Sequence, residues 1–297
     1  GTNFKSILKM VNFFVIFVPF LLLIVSNQLK AEETEENRHK TEETWNYEEP
    51  EEWGGKCQKG DRQSPIDIHK QWFIDYKIPA ISFANYEKNG TVTMKNNGHT
   101  VVVSGFDTWE KQPNIADGGF GSKYMLSQFH FHWSQNENGS EHTVDGEHYD
   151  AELHLVHVKE GLSLSEALAL SDGVAVLGIF FKRAYVGSAL LALQNGLSQV
   201  TNKDDSVTIE HYEPNDLLPT ASEVFFRYNG SLTTPDCNEA VIWTVFAVPK
   251  SISREQIQLL RAINGHDGKP ISSNIRPVQK FSRKVQKFGY NKVSILP

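Results

Sequence analysis

Gln128–Trp133 reads QFHFHW, a stretch in which polar side chains alternate with aromatic ones. A β-strand sends successive side chains to opposite faces, so the alternation predicts a strand with Gln128, His130 and His132 on one face. The three aromatic rings would lie on the other face and pack into a core. One face of this strand can therefore hold a metal ion while the other stabilises the fold.

Ala151–Val156 reads AELHLV and shows the same alternation, which places Glu152 and His154 on one face of a second strand. Together with His130 and His132, His154 gives three imidazoles on two strands, enough for a catalytic zinc with its fourth position open. A metal-bound imidazole also needs a partner for its other ring nitrogen. Gln128 and Glu152 each precede a histidine by two residues and are placed to be such partners.

Most of the 11 histidines need no function, because a lone histidine is usually a surface or structural residue. The tail residue His39 is interpreted in that way, as are four histidines in polar or turn-like surroundings, namely His69, His148, His211 and His266.

The chain of 297 residues carries no internal repeat or interior low-complexity linker, so a single domain is expected. Its 18 Phe and 6 Trp supply a core, while 21 Gly and 12 Pro among many short apolar stretches favour a β-rich fold with frequent turns. The formal net charge of -7 and the absence of a basic patch argue against a nucleic-acid partner.

Residues 1–31 contain no acidic residue and include an apolar run over residues 11–25. That run fits the hydrophobic region of a secretory signal better than a membrane span, which needs about 20 apolar residues. Residues 1–31 are therefore predicted to be a signal peptide cleaved near Ala31, with an uncleaved anchor as the alternative. Met10 could be the true start, in which case residues 1–9 are an upstream extension. Loss of the three lysines in residues 1–31 would move the formal charge from -7 to -10.

Residues 32–52 carry ten Glu with one Arg and one Lys, a composition that cannot bury apolar surface. An acidic disordered tail is predicted over residues 32–44, and the folded domain over residues 45–292. A specific calcium-binding or mineral-binding role for the glutamates is the alternative.

Cys57 and Cys237 are the only cysteines, and an even pair in a secreted chain predicts a disulfide. Two buried free thiols are the alternative. The loop closed would be about 180 residues, worth roughly 5 kcal/mol in the chain-entropy description. Acceptor sequons for N-glycosylation at Asn89, Asn138 and Asn229 agree with secretion.

Further sequence blocks join the histidine stretches in a fixed order. They are QSPIDI (63–68), NGH (97–99), GSEHTVD (139–145), AELHLVH (151–157), VLGIF (176–180), GSLTTP (230–235) and NIRP (274–277). With these blocks the chain resembles the alpha-class carbonic anhydrases of the secreted type, over roughly residues 45–292.

The resemblance implies a mainly β single domain, built on a large twisted, mostly antiparallel sheet with short peripheral helices. It implies Zn²⁺ held by His130, His132 and His154, and reversible hydration of carbon dioxide by zinc-bound hydroxide. Such a site lowers the pKa of water from 15.7 to about 7, an effect for which carbonic anhydrase is itself the reference case.

The resemblance also implies roles for other residues. Thr233 would orient the reacting water, Glu141 would accept the threonine proton, and His99 would carry the product proton to solvent. Asn274 would support the site beside Gln128 and Glu152, and the two cysteines fall where extracellular members have their disulfide. The substrate-binding residues implied are Val156, Val176, Leu232, Thr234, Val241 and Trp243. His142 and His157 are expected to be structural.

Carbon dioxide and bicarbonate are the expected substrates, and sulfonamides the expected inhibitors. The chain is expected to be a secreted monomer, which would contact a membrane only if the N-terminal segment stayed uncleaved. Two other functions are alternatives: a non-catalytic extracellular matrix or binding protein, which the complete histidine set disfavours, and ester hydrolysis as a side reaction.

Overall fold

The structure, a computed structural model, describes residues 45–69, 78–281 and 288–291, the last four through their backbone. The predicted signal peptide and acidic tail, residues 1–31 and 32–44, lie outside the described residues. The chain divides into Gly1–Asn46 and the compact unit Tyr47–Pro297, which holds every element below. No helix within the described ranges is long and apolar enough to cross a lipid bilayer.

Thirteen strands are described, and they follow the short apolar stretches of the sequence. They are β1 Asp67–Ile68, β2 Ile81–Ala84, β3 Gly90–Asn96, β4 Val101–Ser104, β5 Asn114–Asp117, β6 Tyr124–Trp133, β7 Thr143–Val144, β8 Ala151–Lys159, β9 Val174–Arg183, β10 Ser206–Tyr212, β11 Phe225–Gly230, β12 Val241–Ile252 and β13 Phe288–Asn291.

The described helices are few and short. They are α1 Gly55–Lys59, α2 Leu164–Leu168, α3 Gln194–Leu197 and α4 Arg254–Arg261, with 3-10 turns at Pro50–Trp53, Phe106–Thr108 and Pro214–Leu217. Both α2 and α4 begin at a capping box, in which a serine hydroxyl and a side chain three residues later satisfy the first free backbone N–H groups.

Eleven strands form one sheet, in the order β10-β3-β4-β6-β8-β9-β12-β11-β13, with β5 pairing β6 and β2 pairing β5. All neighbours in this sheet are antiparallel except β9 and β12, which run parallel. β1 and β7 form a separate parallel pair. The prediction of a mainly β fold with a mostly antiparallel sheet and short helices is confirmed.

Side chains on the two faces of the central strands enter different apolar clusters. Phe129, Phe131 and Trp133 of β6 are fully buried in the larger cluster, together with Leu153 and Leu155 of β8. The alternate apolar positions of β8 join a second cluster formed with side chains of β9, β11 and β12. The prediction that the aromatic face of QFHFHW packs into a core is confirmed.

Strand register brings the chemically important side chains into adjacent rows. His130 on β6 pairs directly with His154 on β8, and His132 pairs with Glu152. One row further along, Val156 pairs with Val176 of β9, which in turn pairs with Trp243 of β12. A row of histidines therefore lies beside a row of apolar side chains on one face of the sheet.

Candidate metal centre and active site

His130, His132 and His154 form a cluster in which each offers one ring nitrogen, and these nitrogens lie within 4.8 Å of one another. Their ring centroids are 4.4 to 5.3 Å apart. The cluster arises because residues two apart on β6 face the same side and because β8 sets His154 opposite His130. His130 is half-buried, whereas the other two side chains are buried.

One nitrogen of each ring is held by a neighbour. The Nδ1 atom of His130 lies 2.9 Å from the Gln128 amide oxygen, and Nδ1 of His132 lies 2.8 Å from the backbone oxygen of Asn274. Nε2 of His154 lies 2.9 Å from a carboxylate oxygen of Glu152. These contacts place the N–H on the nitrogen that is held by the neighbour. Nε2 of His130, Nε2 of His132 and Nδ1 of His154 therefore each have a lone pair available for a cation.

The donor set fits zinc. The Nε2 atom of His132 is buried and has no hydrogen-bond partner, which is unfavourable for a polar atom unless a cation binds there. Burial, followed by the neighbouring His154, lowers the pKa of His130 to about 3, and burial likewise lowers the pKa of His132 well below its usual range. Both rings are therefore neutral at pH 7, the state in which imidazole binds a metal.

Glu152 belongs to a second buried cluster, with His142 and His154. Hydrogen bonds account for this cluster, because Glu152 accepts from the backbone N–H of His142 at 2.8 Å, from its Nδ1 at 2.7 Å and from Nε2 of His154 at 2.9 Å. Burial raises the pKa of Glu152, but His142 and His154 more than offset it, so the pKa lies well below its usual range. Glu152 is thus an ionised anchor for His154.

The hydrogen bonds that support Glu152 continue through His142 to residues that the sequence did not indicate. Nε2 of His142 lies 2.7 Å from the Tyr228 hydroxyl, which donates to the Ser64 hydroxyl at 2.9 Å. The Ser64 oxygen also accepts from the backbone N–H of Ser231, two residues before Thr233. His142 therefore connects the metal support to the Thr233 loop. Ser64 belongs to the QSPIDI block, which implied no role for it individually, and no sequence pattern singled out Tyr228.

Glu141 is fully buried between the histidines and the Thr233 loop. It accepts a hydrogen bond from the backbone N–H of Arg276 at 2.8 Å, and the Thr233 hydroxyl lies near enough to lower the pKa of the carboxyl. Burial raises the pKa of Glu141 well above its usual range, while those two donors act in the opposite direction. A cation in the adjacent histidine cluster would favour the ionised form further.

An apolar wall adjoins the histidines. The second cluster contains Val156, Val176, Val241 and Trp243, all buried, and Leu232 packs against it half-buried. The Trp243 ring lies 4.7 Å from the His154 ring, and its Nε1–H donates to the backbone oxygen of Ser231 at 3.0 Å. The five apolar residues of the expected substrate site are thus brought together, and Thr234 lies half-buried beside Thr233.

The family description of eukaryotic-type carbonic anhydrases matches residues 41–288 of the chain. The chain belongs to that family. It is similar to putative carbonic anhydrase 5 of Caenorhabditis elegans, with 42% identity over 251 residues, covering 82% of this chain and 81% of the relative.

Two mammalian relatives show a comparable likeness. Carbonic anhydrase 3 of Mus musculus is 35% identical over 239 residues, covering 78% of this chain and 91% of the relative. Carbonic anhydrase 4 of Oryctolagus cuniculus is 36% identical over 241 residues, covering 78% and 77% respectively. The chain is thus a carbonic anhydrase, a lyase that acts in the hydration of carbon dioxide. The three histidines form a group that is able to bind zinc.

Cys57 and Cys237 form the predicted disulfide. It braces the loop that carries Thr233, since the backbone N–H of Cys237 donates to the oxygen of Thr234 at 3.0 Å. Nearby, Glu239 accepts from the backbone N–H of Arg62 at 2.6 Å and from the Gln63 amide at 3.0 Å. Residues 57–63 are therefore held against the loop that carries Thr233 by both covalent and polar contacts.

Asn274 connects three parts of this carbonic anhydrase. Its side chain accepts from the backbone N–H of Trp133 at 2.7 Å and donates to the backbone oxygens of Phe131 at 2.9 Å and His99 at 3.1 Å. The Asn97 side chain accepts from the backbone N–H of His99 at 3.0 Å. The half-buried His99 is thereby fixed in a turn attached to the histidine-bearing strand.

Proposed function

We propose that this chain is a secreted carbonic anhydrase that hydrates carbon dioxide reversibly and passes the product proton to solvent through His99. The observation that carries the proposal is the three-histidine cluster, which adjoins an apolar wall. In each ring, the nitrogen that faces away from the metal site is held by a neighbouring group.

His130, His132 and His154 would hold Zn²⁺ through Nε2, Nε2 and Nδ1. When bound, zinc supplies a Lewis acid that makes water acidic enough to yield hydroxide near neutral pH. Gln128, Glu152 and the backbone of Asn274 fix the ring tautomers and orientations, which keeps the donor geometry constant during turnover.

Thr233 is proposed to orient the reacting water. Its hydroxyl is proposed to donate to the neighbouring Glu141, which leaves its oxygen only lone pairs with which to accept a hydrogen bond from a second donor. A water that donates a hydrogen bond to this oxygen is held in one orientation. One of its lone pairs can then point towards the apolar wall beside His154, where the substrate would lie.

Carbon dioxide has no net dipole and accepts hydrogen bonds weakly, so an apolar surface suits it better than a polar clamp. Val156, Val176, Leu232, Val241 and Trp243 are proposed to form that surface. Thr234, beside them, offers a hydroxyl that can bind the more polar bicarbonate product.

His99 is proposed to be the proton acceptor for the active-site water, because an unperturbed imidazole titrates near neutral pH. Its turn is held by Asn97 and by the Asn274 side chain, which also binds the strand of His132. The same contacts that position a zinc ligand thus position the proposed proton carrier.

Secretion is supported by the disulfide, which is typical of oxidising compartments, and by the apolar run over residues 11–25. Asn89 and Asn138 are exposed and suited to glycosylation, whereas Asn229 is half-buried within β11. We further propose a monomer that sulfonamides inhibit, with membrane attachment only if the N-terminal segment is retained.

The test is stopped-flow hydration of carbon dioxide by the zinc-loaded chain, in dilute and in concentrated imidazole buffer. His99→Ala should lower kcat on the order of tenfold in dilute buffer, leave kcat/KM unchanged, and recover with imidazole. A kcat that equals the wild-type value at every buffer concentration would show that His99 is not the proton carrier. Expression of the full chain, with the protein assayed in cells and medium, tests secretion.

A further inference from the structure

His99 contacts a second histidine from a distant part of the chain. Nε2 of His266 lies 2.9 Å from Nε2 of His99, and the two ring centroids are 4.4 Å apart. One ring must donate and the other accept at that distance. His99 is half-buried and His266 is exposed, so the pair leads from the interior of the turn towards solvent.

The contact depends on Gly98, which directly precedes His99 and faces the His266 ring. Gly98 has φ of 87°, and a Cβ added there would lie 2.6 Å from Nε2 of His266. The His266 ring therefore occupies the space that any other residue at position 98 would fill. Polar contacts hold the two segments together, because the Asn96 side chain donates to the backbone oxygen of Asn264 at 3.0 Å and accepts from the Gly98 N–H at 2.8 Å.

We infer that His266 receives the proton from His99 and releases it to buffer, so that the two imidazoles form a relay. This rests on the proposed role of His99. A proton enters at Nδ1 of His99, the Nε2 proton of His99 passes to Nε2 of His266, and His266 loses its Nδ1 proton to buffer. Only N–H bonds form and break, and the pair ends with its initial charge.

Both rings change tautomer in one passage and regain the starting tautomer by exchanging N–H protons with water. The same relay run inwards would deliver protons for bicarbonate dehydration. Because Nε2 of His99 already lies 2.9 Å from its acceptor, this transfer requires no rotation of the His99 ring. His266 acts through His99 and is therefore a positioning and proton-receiving residue outside the reaction centre.

The charged neighbours on the His266 loop are Asp267 and Lys269, whose side chains form an exposed ion pair at 3.8 Å. Lys269 provides a matched control, because its replacement alters the same loop and its charge but leaves both imidazoles. Gln at position 266 provides a second comparison, since an amide can hydrogen-bond to His99 but cannot carry a proton onward.

The test compares zinc-loaded wild-type protein with the variants His266→Ala, His266→Gln, Lys269→Ala and His99→Ala. Stopped-flow hydration is measured across a series of imidazole concentrations, with unfolding temperatures recorded to verify folding. In dilute buffer both His266 variants should lose roughly threefold to tenfold in kcat, keep kcat/KM, and recover with imidazole. Lys269→Ala should match the wild type.

An unchanged kcat in His266→Ala overturns the relay, and so does wild-type kcat in His266→Gln, which would show a hydrogen-bonding role alone. If His99→Ala is slow while His266→Ala is normal, His99 remains the proton carrier and only the relay fails. If His99→Ala is normal, the proposed role of His99 fails and the relay fails with it.

Discussion

Replacement of Glu152 by Ala should weaken zinc binding and destabilise the fold together. Glu152 accepts three hydrogen bonds from buried N–H groups, two of His142 and one of His154, at 2.7 to 2.9 Å. Each buried donor left without an acceptor costs about 1 to 3 kcal/mol, so the loss of all three bonds should lower the unfolding free energy by at least roughly 3 kcal/mol. Loss of a carboxylate that holds a metal-bound histidine typically lowers metal affinity about 10 to 100-fold.

The assay is a zinc competition titration against a chelator of known affinity, combined with urea unfolding of the metal-free protein. Glu160→Gln is the matched control, because Glu160 follows β8 directly and is exposed. Its zinc affinity should equal that of the wild type, and its unfolding free energy should fall by no more than about 1 kcal/mol, because Glu160 loses only an exposed ion pair with Lys123. Zinc affinity of Glu152→Ala within twofold of the wild type would refute the role assigned to this carboxylate.

Three further predictions concern the surroundings of the site. Replacing Cys57 and Cys237 together by Ser should lower the unfolding free energy by up to about 5 kcal/mol in urea, since the disulfide closes a separation of 180 residues; a loss below about 1 kcal/mol would contradict this. Thr233→Ala should lower kcat/KM roughly 100-fold without changing zinc content, and Thr233→Ser should restore most of it; equal kcat/KM in all three proteins would exclude an orienting role. Burial raises the pKa of Glu239, but hydrogen bonds donated by Gln63 and Arg62 lower it by a larger amount, so the pKa lies below 4.5. A lowered folded pKa stabilises the protein above pH 4.5 and ceases to do so as pH falls through the folded pKa, so Glu239→Gln should cost at most about 1 kcal/mol at pH 7 and progressively less as the pH falls below 4.5; a pH-independent difference would refute this linkage.

The faces of the central strands could be predicted from the sequence, because alternation with period two fixes which side chains share a face. QFHFHW therefore indicated both the buried aromatic rings and the ligand face of β6. In β8, residues 151–158 are all buried, yet the polar positions 152 and 154 still marked the ligand face. Helix α4 could also have been located, since Ser253 and Gln256 form its capping box.

Contacts between distant segments could not be predicted in this way. The pairing of His99 with His266 joins residues 167 positions apart, and His266 in its polar loop resembled any surface histidine. Tyr228 and Ser64 extend the support of Glu152, but Tyr228 lies in none of the motifs, and the QSPIDI block that contains Ser64 does not indicate its partner. The pairing of β9 with β12 was likewise not indicated, because a largely apolar run marks a buried strand but does not identify its partner strand.

The most direct measurement is carbon dioxide hydration by the purified chain, made on one sample with zinc content determined beside it. The metal-loaded protein should hold one zinc per chain and hydrate carbon dioxide. Activity should vanish on chelation and return with added zinc, and His132→Ala should bind little metal and remain inactive. A chain that holds zinc through these histidines and does not accelerate hydration would contradict the assignment of the site.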